Sequence, residues 1–371
     1  MRRRDFLTGG ALVAASAFAP RIVRGEGSLI SHLARPQDLG TPLEYFDRLV
    51  TPTDVFFVRS HFGPPALDRA RKVRIEGART LELSLHDLRA FPEVTLTAVL
   101  QCAGNGRALH RPRVPGVQWV HGAMGQAAWT GVRLADVLAR AGIPANAAYV
   151  QLEGYDRPPL PTVPAFVRSV PLARALDPTT LLAYRMNGEP LTLAHGAPLR
   201  VVVARWAGDH WMKWLRRVRV QPAEAEGFYM QTAYKMPAHP VAPGTAVPPA
   251  DMRSLAAIPV KSLIARPADS AILPPGPVEI VGVALSGIAR IERVEVSLDD
   301  GATWAAATLE GEPGAGRWQV FRARFERRPG TYRAMARAAD AEGNAQPREA
   351  AWNPSGYFWN GWHTVGFRVA A

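Results

Sequence analysis

The chain has 371 residues, 47% of them hydrophobic, enough to bury a sizeable core and most naturally divided into two domains. A single cysteine, Cys102, excludes an internal disulfide, a cysteine-rich zinc site, an iron–sulfur cluster and a Cys-x-x-Cys-His haem attachment, so this chain is expected to carry no haem. The net charge is +12 and only four of the 44 basic residues are lysine, so arginine, suited to bidentate recognition of oxyanions, supplies the excess. No basic run or helix-turn-helix pattern points to nucleic acid.

Along the chain, residues 1–25 read as a leader. Arg2, Arg3 and Arg4 precede a short run of small apolar residues that cannot span a bilayer. Arg3-Arg4-Asp5-Phe6-Leu7 is similar to a twin-arginine signal, which implies export of the folded protein to the periplasm. No later segment is long and apolar enough to span, so no stable membrane insertion is expected.

The fold class expected is α+β. Residues 26–240 read as a mixed α/β domain, with strands at 54–63, 71–77, 95–104 and 147–156 and helices at 83–91 and 132–142. A Pro-rich linker, 241–257, follows. From 258 to 371, alternating strands at about ten-residue spacing predict an immunoglobulin-like β-sandwich whose role is packing or dimerisation.

A lone cysteine closing an apolar strand is ordinarily a small hydrophobe. In "VLQCAGNGR", however, Gly104, Asn105 and Gly106 open the backbone, and Arg107 brings a cation that favours the thiolate. Such a thiolate is either a nucleophile or a soft metal ligand. "FFVRSH" places Arg59 and His61 on one face of a strand. His195, Arg200 and Lys213, spread over 182–218, look like an anion-binding set.

These stretches, with "GFYMQTAYKMP" (227–237) and "IERVEVSLDDGATW" (291–304), resemble the sulfite oxidase family of molybdopterin enzymes in its bacterial sulfite dehydrogenase form. The resemblance covers nearly the whole chain after the leader. It implies that Cys102 is the protein's ligand to molybdenum and that Arg59, Arg107 and Tyr234 act on substrate. It further implies that Arg59, His61, Asp156, His195, Arg200 and Lys213 hold molybdopterin and its phosphate. Sulfite would be oxidised to sulfate, electrons would leave singly to an external cytochrome c, and the chain would form a homodimer.

Two stretches depart from the family pattern. "WNPSGYFWNGWH" (352–363) carries Ser355 where the family has a substrate arginine, and Gly208-Asp209-His210 replaces the usual Gly-Ala-Arg. The first departure leaves open another sulfur oxyanion or a sulfoxide as substrate. A non-enzymatic exported protein that binds an anion or a partner, with an inert Cys102, is the remaining alternative.

Overall fold

The computed structural model describes residues 29–66 and 68–371, so the leader at 1–25 lies outside the described residues. Within them the molecule is mostly β. Only Leu134–Ala141 exceeds one turn as an α-helix; Leu134, Val137, Leu138 and Ala141 give it a buried face, and Gly142 (φ 75°) ends it. The other α-helices, including Leu85–Leu88 inside the expected 83–91, are single turns. The first domain is therefore not a mixed α/β layer: its short, glycine- and proline-punctuated apolar runs pair as strands.

Two five-stranded sheets form the core of that domain, beside a small hairpin of Ile30–Leu33 with Asp38–Gly40. The first is antiparallel: Glu93–Gln101 pairs with Met124–Arg133, which pairs with Thr180–Met186, against which Arg200–Val203 and Glu189–Pro190 both lie. The second runs Thr80–Leu83, Val73–Glu76, Leu215–Gln221, Tyr149–Gly154, Val167–Pro171, with one parallel pair between Val73–Glu76 and Leu215–Gln221. Ile75, Val150, Leu152 and Val218 of the second share a core with Trp129, Leu181 and Val202 of the first. Val201, Val202 and Val203 are all buried, so that strand is covered on both faces and reads as a continuous apolar run.

Segment 54–63 is not a strand. Thr53–Val55 is a 3-10 turn, and beyond it only Val58 pairs, with Leu39. Just before the segment, side chains hold the backbone: Asn187 donates to Thr51 O, and His195 Nε2 lies 3.2 Å from Thr53 O. Phe56 and Phe57 are both buried although adjacent, which breaks strand alternation.

The second domain is a two-sheet sandwich. One sheet runs Lys261–Arg266, Gly276–Leu285, Trp318–Arg327, Thr308–Glu310; the other runs Ala271–Leu273, His363–Val369, Gly330–Asp340, Ile291–Ser297, Ala305–Ala306. Ile280 and Phe321 face Val294, Ala336 and Phe367 across the core. The Pro-rich connector is a loop closed at its base, where Lys235–Pro237 pairs with Met252–Ser254.

The two domains share buried contacts. Phe46, Val99 and Met124 pack with Leu263, Val281, Leu285 and Trp318. Gln126 accepts from Trp318 N at 2.7 Å, and Arg205 donates to the carbonyls of Gly287 and Ile288. Residues 352–359 of the second domain lie on the Cys102 loop: Phe358 N donates to Ala103 O at 2.9 Å, and Trp352 Nε1 to Pro112 O at 3.0 Å.

Candidate active site

Cys102 follows directly on the strand Glu93–Gln101, and its amide donates to Ala123 O at 2.9 Å. The Gly-Asn-Gly turn is fixed from within: the backbone N–H of buried Asn105 donates to Cys102 O, and its side-chain oxygen accepts from Ala123 N. Gly106 has φ 92°, and a Cβ there would sit 2.6 Å from Trp359 Cβ, so the turn admits no side chain. The sulfur opens on a cavity lined by Arg59, His61, Asp156, His195, Arg200, Lys213 and Tyr234, among others. The sequence favoured a thiolate here, but burial pushes the thiol up, and Arg59 and Arg107 pull it down only in part. An unaided nucleophilic thiolate is disfavoured; a bound cation would supply the missing stabilisation.

Beside Cys102, Arg59 and His61 meet although no strand holds them. Arg59 Nη1 lies 3.2 Å from Asp38 Oδ1 and also donates to Ser60 O; Arg59 Nη2 lies 3.3 Å from His61 Nδ1. Burial, with Arg59, Lys213 and Arg168 nearby, holds His61 well below its ordinary value, so its ring is neutral at pH 7. A guanidinium only donates, so Nδ1 is the acceptor and Nε2 carries the proton. Nε2 then donates to Tyr234 Oη at 2.7 Å, leaving the phenolic proton free to point at a ligand. Tyr234 itself has φ 56°, an uncommon left-handed backbone that sets its ring.

Arg107 does not line the cavity. Its guanidinium donates to Ser355 O (3.1 Å) and Val117 O (3.3 Å) and stacks 5.2 Å over Tyr357, which lies parallel to Tyr234 at 5.6 Å and 11°. It reaches the site through two rings. Ser355 turns its hydroxyl to Lys235 O at 3.3 Å. Behind Tyr234, fully buried Arg168 pairs with Asp209 at 2.7 Å and lies 5.2 Å over the tyrosine ring. The departure at Asp209 is thus half of a buried ion pair.

Around His195 the balance differs. Arg200 donates to His195 O and Trp211 O between two tryptophan rings; no carboxylate faces it, its Nε is unpartnered, and burial lowers it to about 9. Lys213 donates to Ala194 O at 2.9 Å, and burial followed by repulsion from Arg200 lowers it to about 7. Asp156, raised by burial to about 6, is its nearest acidic influence. His195 is lowered to about 4, chiefly by burial. Two buried cations without a matching carboxylate suit a bound anion such as a phosphate, so these residues fit the cofactor. Among the described residues no three His, Cys, Asp or Glu cluster as metal ligands, so a metal here would rest on Cys102 and on ligands the cofactor brings.

Asp38, Arg168 and Tyr357 were not singled out in the sequence. Tyr357 lay within the departing 352–363 stretch, whereas Asp38 and Arg168 carry no local signal because their partners are distant in the chain.

Residues 61–229 match the family model for an oxidoreductase molybdopterin binding domain, and residues 252–370 that for a Mo-co oxidoreductase dimerisation domain. With the cavity above, they define a molybdopterin oxidoreductase. The mitochondrial sulfite oxidase of Macaca fascicularis is 39% identical over 356 residues, covering 91% of this chain, which spans 65% of that protein's length. The Arabidopsis thaliana sulfite oxidase is 36% identical over 349 residues, covering 86% of this chain and 88% of the relative. The crystal structure of the sulfane dehydrogenase SoxCD from Paracoccus pantotrophus superposes with a TM-score of 0.79 at 26% identity, covering 97% of this chain and 93% of that one. The chain belongs to the sulfite oxidase family.

Proposed function

We propose that the protein oxidises sulfite to sulfate with molybdenum held by molybdopterin, acting in the periplasm as a homodimer and passing electrons singly to a cytochrome c. The observation that carries this reading is the chain's one cysteine, placed in a cavity with Arg59 and Tyr234 beside it and unpaired Arg200 and Lys213 further along. The bound cofactor supplies two-electron oxidation with oxygen-atom transfer. This chain supplies the rest. Cys102 would hold the metal, while Lys213, Arg200 and His195 would anchor the cofactor. Arg59 and the Tyr234 hydroxyl would orient the substrate oxygens through charge-assisted and neutral hydrogen bonds. Phe57, Trp211 and Leu100 give the cavity an apolar lining that would strengthen those contacts.

Metal analysis of the purified protein with sulfite-dependent cytochrome c reduction tests the reading. Stoichiometric molybdenum with turnover is expected; molybdenum without sulfite turnover removes the substrate, and no molybdenum removes the whole reading. Ser355 favours a second reading, the same cofactor acting on a different sulfur compound.

A further inference from the structure

Charge is distributed unevenly along the cavity. Near Cys102 the guanidiniums are matched: Arg59 by buried Asp38 at 3.2 Å, and Arg168 by buried Asp209 at 2.7 Å. Arg107 is turned into the 355–357 segment, occupied by two carbonyls and the Tyr357 ring. Position 355 adds no cation. The cations without a carboxylate partner, Arg200 and Lys213, lie around His195 instead. A dianion brought to the Cys102 end would therefore meet one partly compensated arginine. Each buried charge left unmatched costs several kcal/mol.

Phe166 lines the cavity together with His61, and further aromatic rings pack beside them. Phe166 lies 4.7 Å and Tyr229 4.6 Å from the His61 ring, and the two rings meet edge-on at 5.0 Å. Phe228, 5.2 Å from Tyr229, continues the surface outward and is 45% exposed. Such a lining gains from contact with carbon and gives nothing to a bare oxyanion.

We propose that the Cys102 end prefers a singly charged organic sulfinate, R–SO2⁻, over the sulfite dianion, with R lying on Phe166. The proposal rests on the reading of this site as a sulfur-oxidising molybdopterin site. Arg59 and the free phenolic proton of Tyr234 suffice for one negative charge and two oxygens. The step balances: sulfur's lone pair forms a new bond to an oxygen that derives from water, giving R–SO3⁻. Two protons are released and two electrons leave one at a time to a one-electron acceptor.

The test compares sulfite, methanesulfinate and benzenesulfinate on the molybdenum-loaded full chain with ferricyanide as acceptor. Benzenesulfinate is expected to have the highest kcat/KM, about tenfold or more above sulfite, the usual worth of an apolar group in its pocket. Ser355→Arg should shift the ratio towards sulfite. A binding measurement accompanies the rates: benzenesulfonate should raise the melting temperature more than sulfate does. Sulfite turned over as well as or better than both sulfinates overturns the preference while leaving the molybdopterin reading intact. A larger shift with sulfate overturns it too. No turnover of any of the three by molybdenum-loaded protein overturns the sulfur-oxidising reading and the proposal with it.

Discussion

Tyr234 is where the hydrogen-bond logic of the site converges. His61 donates to its oxygen, Arg168 supports one part of its ring, and Tyr357 stacks on it, so the hydroxyl proton has the cavity as its remaining direction. Tyr234→Phe keeps the ring and its stacking but removes that donor. Its kcat/KM should fall about 10²–10³-fold, as for loss of a preorganised donor, with little change in melting temperature, read by steady-state kinetics and calorimetry. The residues legible in the sequence, Cys102, Arg59, His61, Asp156, His195, Arg200, Lys213 and Tyr234, all line the one cavity. Arg107 was equally legible, yet its orientation depends on Ser355 and Tyr357, some 250 residues away. What sequence could not convey was charge pairing: Asp38 compensates the cavity-lining Arg59, and Asp209 the Arg168 behind Tyr234.

At the scale of elements, the Cys102 turn works because glycine lets another domain touch it. Gly106→Ala forces a Cβ at positive φ against Trp359, and should lower unfolding stability by about 1–3 kcal/mol in urea titrations. Adding Trp359→Gly removes the opposing Cβ and ring but not the backbone strain, so the double variant should be less destabilised than the two single effects added together. Additive losses would show that the contact is not the cause. The same scale explains what was readable. Long alternating or continuous apolar runs, such as 95–104, 199–204 and 330–340, became strands because pattern and burial agree. The run 54–63 had the composition of a strand but not its partner: it opens on a 3-10 turn, and only Val58 pairs, with Leu39.

Over the whole molecule, the junction between domains carries a buried charge problem. Lys261 is 1% exposed, its Nζ has no partner, and burial lowers it to about 7. Facing it are His110, His121 and His363, each also pushed down by burial, and the Trp359 ring at 5.4 Å. A lysine depressed in the folded state costs nothing above its unfolded value near 10.5. Its penalty grows as pH falls towards 7 and is constant below. Lys261→Met should therefore stabilise the protein by about 3–5 kcal/mol at pH 7 and progressively less towards pH 10, seen as converging denaturant midpoints. A constant gap across that range would show that Lys261 is charged in the fold at every pH.

The strip from Trp352 to Trp359 has a consequence for the lineage of such proteins. It is encoded within the dimerisation unit, yet Phe358 bonds to Ala103, Ser355 holds Arg107, and Tyr357 backs Tyr234. The boundary between the two matched domains therefore runs directly behind the candidate site, whose lining comes from the first domain alone. Recombination that exchanged one second domain for another would keep that lining and replace what braces the Cys102 turn and the Tyr234 ring. The two modules can be exchanged only where the bracing strip is matched to the turn it supports.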